Sequence, residues 1–314
     1  MTDDAMIKNS VFRWATWALL TLLVSGHMLA QKVAATYEND PAERIRVASE
    51  AIVNKFRAAG MNPVDHKLTP AQKEKVSRAF ALLPPLHRQL LKQHLHSISF
   101  MDNMPNTALT SPVDTSGLSR QFTITFRAGL LDETIADWAS AKENTCFKQA
   151  DEPRYNVRVE GGNMDAIVYV LMHEATHIVD AVKEITPHVD EPTSVVKPTR
   201  FTKGIWRLMN VPAGTYLDSL LEQTRFRSGK TVPISAAPAV YRTLSKTPFP
   251  SLYAMAAWFE DIAELATIYH LTTRLNQPFY VTVTKDDVEV ARFEPMKNPL
   301  VKQRLAQLAT FYAQ

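Results

Sequence analysis

Two histidines flanking a glutamate, in His173-Glu174-Ala175-Thr176-His177, are the residues of this chain best suited to chemistry. Residues four apart share one face of an α-helix, so both imidazoles can reach a single metal ion at about 2.0–2.1 Å. Glu174 is turned by roughly 100° from His173. Its carboxylate therefore stands beside the ion, placed to take a proton from water without being a ligand. A chance match to this spacing is expected in on the order of one per cent of chains this long, and it can fall anywhere. Here it falls in residues 164–182, which contain no Gly or Pro and in which Ile167, Val168, Val170, Leu171, Ile178 and Val179 mark a largely buried helix.

A catalytic zinc needs a third protein ligand and an open position. The metzincin pattern, with glycine and then histidine downstream, is excluded because Asp180 and Lys183 hold those places. His188, Asp190 and Glu191 follow the helix in a Pro-flanked segment that offers no scaffold. Glu260 is better placed. In Trp258-Phe-Glu-Asp-Ile-Ala-Glu264, two carboxylates four residues apart lie on one face of an otherwise apolar helix. Buried carboxylates are costly unless paired or bound to metal. Glu260 as ligand and Glu264 accepting the free N–H of a ligating imidazole would meet both costs. The plainer alternative is an exposed acidic edge to which Asp261 also belongs.

The elements around these residues can be read in outline. Residues 42–59 form a helix ending at Gly60, Thr69-Pro70 opens a second in N-cap-then-Pro order, and 86–95 continue the helical pattern. Residues 101–118 read as loop. Phe122–Phe126 and Tyr155–Val159 alternate like half-buried strands, and either can be the sheet edge along which a peptide lies extended. Asn163 is the candidate N-cap of the helix 164–182. Residues 183–250 carry eight prolines. Ser251 caps a long helix over 252–275, a hairpin spans 280–292, and Asn298-Pro299 starts a terminal amphipathic helix.

HExxH followed by a glutamate from a later helix resembles the gluzincin metallopeptidases, and Glu260-x-x-x-Glu264 matches their usual spacing. The motifs are most similar to those of the anthrax lethal factor catalytic-domain group, through His177-Ile-Val179-Asp180 and through Tyr253, seven residues before Glu260. These stretches cover less than a tenth of the chain, and the 83-residue step from His177 to Glu260 is longer than usual for that group. The resemblance implies a zincin-like fold, one Zn2+ per chain on His173, His177 and Glu260, and Glu174 as general base. It also implies that Tyr253 stabilises the oxyanion, Glu264 orients a ligand and Asp180 supports the helix.

The whole chain sets the frame. Its 314 residues suit one α+β unit, with an N-lobe over 36–182 containing a small sheet and the HExxH helix, and a mainly helical C-lobe over 183–314. A net charge of +3 gives no clustered field for nucleic acid. The single cysteine, Cys146, rules out an internal disulfide and reads as a small buried hydrophobe. The basic residues of 183–250 read as a solvated face. After Lys8 and Arg13, the apolar run 14–26 fits a signal peptide or N-terminal anchor within 1–35. The expectation is an extracytoplasmic zinc endopeptidase acting on peptide or protein, attached to the membrane if the anchor is kept. The alternatives are a metal-binding recognition module without turnover and a helical envelope protein without metal.

Overall fold

Alternation of aromatic and β-branched residues with small polar ones builds the first sheet around Phe122–Arg127. The computed structural model describes residues 41–104, 106–113, 120–149 and 154–313. The apolar run 14–26 and the leader expected over 1–35 lie outside them. The sheet has four strands, β1 (Val64–Asp65), β2 (Leu95–Asp102), β3 (Ala108–Pro112) and β4 (Phe122–Arg127), in the order β1-β2-β4-β3. β2 runs parallel to β4 and β3 antiparallel to it. Phe100 stacks on Phe126 across the parallel pair at 5.3 Å.

Two expectations change here. The strand expected at 122–126 is present, but it is flanked on both sides and offers no edge. The stretch 101–118, expected as loop, contains the end of β2 and the whole of β3. Ala108-Leu-Thr-Ser-Pro112 has no apolar alternation, so its strand state comes from pairing with β4 rather than from its own pattern.

The second sheet has three strands, with Tyr280–Lys285 between Val288–Phe293 and Tyr155–Glu160, all antiparallel. The expected hairpin is there, and it joins a strand from the region read as the N-lobe. One sheet therefore spans both lobes expected from the sequence. The fold is mixed α+β with small sheets.

Local rules account for several helix ends. Thr69 and Gln72 form a reciprocal capping box ahead of Pro70–Ala81. The helix expected from residue 42 begins only at Glu50. Ile45 is drawn into a parallel bridge with Ile98, and the Ser49 side chain accepts the Ile52 N–H. The terminal helix is a single turn, Pro299–Lys302, capped by Asn298 and followed by a 3-10 stretch.

The helices Ala166–Lys183 and Trp258–Tyr269 pack against each other at the centre of the unit Arg44–Gln314. Asp261 does not lie on an exposed acidic edge. It is fully buried, pairs with both terminal nitrogens of Arg304 at 2.9 and 2.6 Å, and accepts the Trp206 indole N–H at 2.9 Å. Glu260 and Asp261 thus face different neighbours although adjacent in sequence. Asp261→Ala would leave the Arg304 guanidinium buried without its partner, a loss typically worth about 3–5 kcal/mol. A chemical denaturation midpoint is expected to fall accordingly, and an unchanged midpoint would remove this pair from the stability of the fold.

Candidate metal centre

The HExxH helix begins at Ala166, three residues after the expected Asn163 cap. Asp165 occupies the cap position and makes no side-chain cap bond. Its carboxylate pairs instead with Lys75 at 2.8 Å, and the Ala166 N–H is taken by the Glu133 carbonyl. Behind the helix, Thr176 and His87 meet at 3.0 Å. Burial pushes His87 down to about 3, so this ring is neutral. At the other end Asp180 accepts the Thr186 N–H at 2.7 Å and its hydroxyl at 2.6 Å. Those two bonds fold the chain back after the left-handed residue Glu184 and bring 186–189 alongside the helix. Burial raises the Asp180 carboxyl, and the Thr186 bonds oppose that shift. Asp180 holds the helix end through these bonds.

His173, His177 and Glu260 converge, with one ligand atom from each lying within 4.8 Å of the others. Glu260 Oε2 is 2.9 Å from His173 Nε2 and 3.5 Å from His177 Nε2. Tetrahedral ligands at about 2.0–2.1 Å from an ion are roughly 3.3 Å apart, so these separations fit one metal ion. The group could hold such an ion. Glu264 faces the other side of the same ring, with Oε1 3.0 Å from His173 Nδ1. The angle is oblique for a hydrogen bond, and neither atom has another hydrogen-bond partner. Glu264 Oε2 accepts the Ser251 hydroxyl at 2.6 Å.

The electrostatics follow from burial and these contacts. Burial alone would lower the His173 imidazolium, but Glu260 and Glu264 outweigh it and hold the ring above its ordinary value. Burial would raise both glutamates. The charge of His177 and the hydrogen bond with His173 keep Glu260 well below the carboxylate range. For Glu264, Lys142 and His173 do the same. The His173 ring thus stands between two carboxylates.

Tyr253 reaches the site by a different backbone from the one expected. The helix read over 252–275 is broken into a 3-10 turn at Tyr253–Met255, an α-helix at Trp258–Tyr269 and a π turn at His270–Arg274. The cause is visible: Ser251 caps only the short turn, Ala257 is extended, and the Trp258 N–H bonds to the Met209 carbonyl. The break still leaves the Tyr253 ring stacked at 5.7 Å on His173. Burial and the nearby Glu260 carboxylate raise its phenol well above the ordinary value.

The region 183–250 contributes to this placement. Phe226 packs edge-on against Tyr253 at 4.9 Å, and Arg227 donates to the Met255 carbonyl at 2.8 Å while clasping Glu222.

Glu174 is 8% exposed and accepts the Thr110 hydroxyl at 2.6 Å. It opens with His177, Glu260 and Tyr253 onto a cleft of about 470 Å³. Ala108, Leu109 and Thr110 of β3 form one wall, Pro187 and Val189 another, and Trp258 and Phe259 a third. β3 is the edge of its sheet. Tyr155–Glu160 is also an edge strand but lines no part of this cleft. Of the other third-ligand candidates, His188 lines the cleft outside the ligand group, and Asp190 and Glu191 are exposed. Cys146 is fully buried and free, and burial raises its thiol.

Thr110, Ser251 as a partner of Glu264, and Lys142 were not legible as site residues. Each acts through a fold contact with no sequence spacing to mark it. No known protein family, curated protein or solved structure matches this chain.

Proposed function

We propose that this protein is a zinc-dependent endopeptidase of zincin-like fold. The observation that carries the reading is the pairing of a three-ligand group with a non-ligand carboxylate. Glu174 is next to a ligand in sequence, buried, oriented by Thr110 and open to the same cleft. A structural zinc usually has four protein ligands and needs no base, whereas three ligands and an open position suit catalysis. Two imidazoles and a carboxylate are a donor set that zinc favours.

Zinc bound here would polarise the scissile carbonyl and make a water acidic near neutral pH. Glu174 takes the proton from that water and passes it to the leaving amine. Tyr253 donates to the oxygen that gains negative charge. Glu264 holds the His173 ring so that Nε2 points inward. A peptide pairs its main chain with the edge of β3, the edge strand that lines the cleft. Leu109, Pro112, Phe122, Val189, Met209 and Phe259 line the cleft and favour an apolar side chain in the substrate.

The apolar run 14–26 supports an extracytoplasmic location, by export or anchoring. Among the described residues, no helix is long and apolar enough to cross a membrane. Cell fractionation with N-terminal sequencing tests this part, and an intact, soluble cytoplasmic product would refute it.

The test of the activity uses the purified chain. It is expected to carry about one zinc, to cleave members of a peptide library with apolar residues near the cut, and to lose that activity to a chelator until zinc is restored. Absence of zinc, or cleavage that survives its removal, would end the proposal.

A further inference from the structure

Near the end of the helix Ile135–Asn144 stands a cation that neither metal binding nor proton transfer uses. The Lys142 ammonium lies 3.6 Å from the centre of the Tyr253 ring and 4.0 Å from Glu264 Oε1. The rings of Trp138 and Phe226 are 5.2 and 5.9 Å away. The side chain is 23% exposed. A lysine ammonium is strongly hydrated on a flexible stem and ordinarily extends into water. This one makes no hydrogen bond to any other described residue, and three aromatic rings and one carboxylate lie around it. Ring quadrupoles attract a cation over their faces, most strongly where it is partly desolvated.

The geometry points to Lys142 as a positioning residue for Tyr253, a role that rests on the zinc-peptidase reading above. Tyr253 sits on a single 3-10 turn rather than in a helix, so its backbone alone fixes its ring weakly. Phe226 meets the ring at its edge, His173 stacks on it, and Lys142 covers its face. These contacts set the direction of the hydroxyl. A cation over the face also withdraws electron density from the ring, which makes the O–H a stronger donor to a developing oxyanion. Two carboxylates, Glu260 and Glu264, also place negative charge near Tyr253. The ammonium against Glu264 offsets one of them.

The experiment compares Lys142→Met, Lys142→Arg, Tyr253→Phe and the Lys142→Met/Tyr253→Phe double variant, each with its zinc content measured. All are also prepared with 3-fluorotyrosine, and the Tyr253 fluorine resonance is assigned by its loss in Tyr253→Phe. Lys142→Met is expected to move that resonance, to lower kcat by about 10–30-fold with KM within about twofold, and to keep one zinc per chain. Lys142→Arg should restore most of the rate, because a guanidinium also binds aromatic faces. With Tyr253 already Phe, Lys142→Met should change kcat less than about twofold, since coupled residues do not add.

Additive losses in the double variant, or an unmoved fluorine resonance, would overturn the assignment. Loss of zinc in Lys142→Met would also overturn it, by showing that the cation acts through Glu264 and His173. If the wild type binds zinc and cleaves no peptide, the peptidase reading fails by itself. The fluorine resonance then still decides whether Lys142 holds the Tyr253 ring. If Lys142→Met does not fold, Lys142→Gln serves in the same comparison.

Discussion

Glu174→Gln is expected to remove nearly all turnover while leaving zinc content and fold unchanged. The substitution is close to isosteric, which matters at a position only 8% exposed. A glutamine side-chain oxygen can still accept the Thr110 hydroxyl, now made at 2.6 Å to Glu174, so no buried donor is orphaned. What disappears is the ability to accept a proton from water. General-base catalysis is typically worth about 10²–10⁴-fold in rate, or roughly 3–5 kcal/mol of activation free energy. The loss should appear in kcat, because Glu174 holds neither the ion nor the peptide backbone. The measurement is peptide cleavage by wild type and variant at matched zinc content. Equal rates would assign the cleavage to a contaminant or to a mechanism without Glu174. A variant that lost both rate and zinc would show that Glu174 is a ligand after all.

The sequence made the site more legible than the frame around it, and the reason is physical. His173, Glu174 and His177 lie on one uninterrupted helix, where spacing alone determines direction. Glu260 and Glu264 were readable because two carboxylates on an apolar helix are too costly to bury without a purpose. Their contacts with His173, at 2.9 and 3.0 Å, match that argument. Tyr253 enters through the resemblance, seven residues before Glu260, and the continuous helix expected to carry both residues is broken. The backbone breaks at Ala257, because the Trp258 N–H finds the Met209 carbonyl. Nothing local marks that bond, since it joins segments 49 residues apart in sequence (258 − 209).

β3 illustrates the opposite failure. Its residues have the composition of a loop, and only pairing with β4 makes them the edge that faces the cleft. Pairing between strands depends on context more than helix formation does. The wall most suited to aligning a substrate was therefore the part least visible in the chain. Asp261 shows how neighbours on one helix separate: Glu260 turns to the histidines and Asp261 to Arg304, and a run of two acids in sequence does not distinguish them.

Replacing His173 or His177 by Ala should have the largest effect on the metal, and the His173 change should cost more stability than the His177 change. Either change removes one of three protein ligands and should abolish tight zinc binding. The histidines differ in what lies behind them. The His173 side chain is 7% exposed and stands between Glu260 and Glu264, whereas His177 is 19% exposed and meets only Glu260 of that pair. Without His173, the buried Glu264 and the half-buried Glu260 lose the positive group between them. Breaking a buried pair typically costs about 3–5 kcal/mol, and Lys142, 4.0 Å from Glu264, offsets only part of that. His173→Ala should therefore unfold at clearly lower denaturant than His177→Ala when both are compared free of zinc. Glu260→Ala should weaken zinc binding severely yet be the mildest of the three for the zinc-free fold, since it removes a half-buried negative charge and leaves His173 paired with Glu264. Zinc stoichiometry and denaturation midpoints for the three variants decide the matter. Full zinc retention in Glu260→Ala, with loss on changing His188, Asp190 or Glu191, would place the third ligand in the segment after the HExxH helix. Equal midpoints for the two histidine variants would show that Glu264 does not depend on His173, and its place behind the ligand would then be structural coincidence.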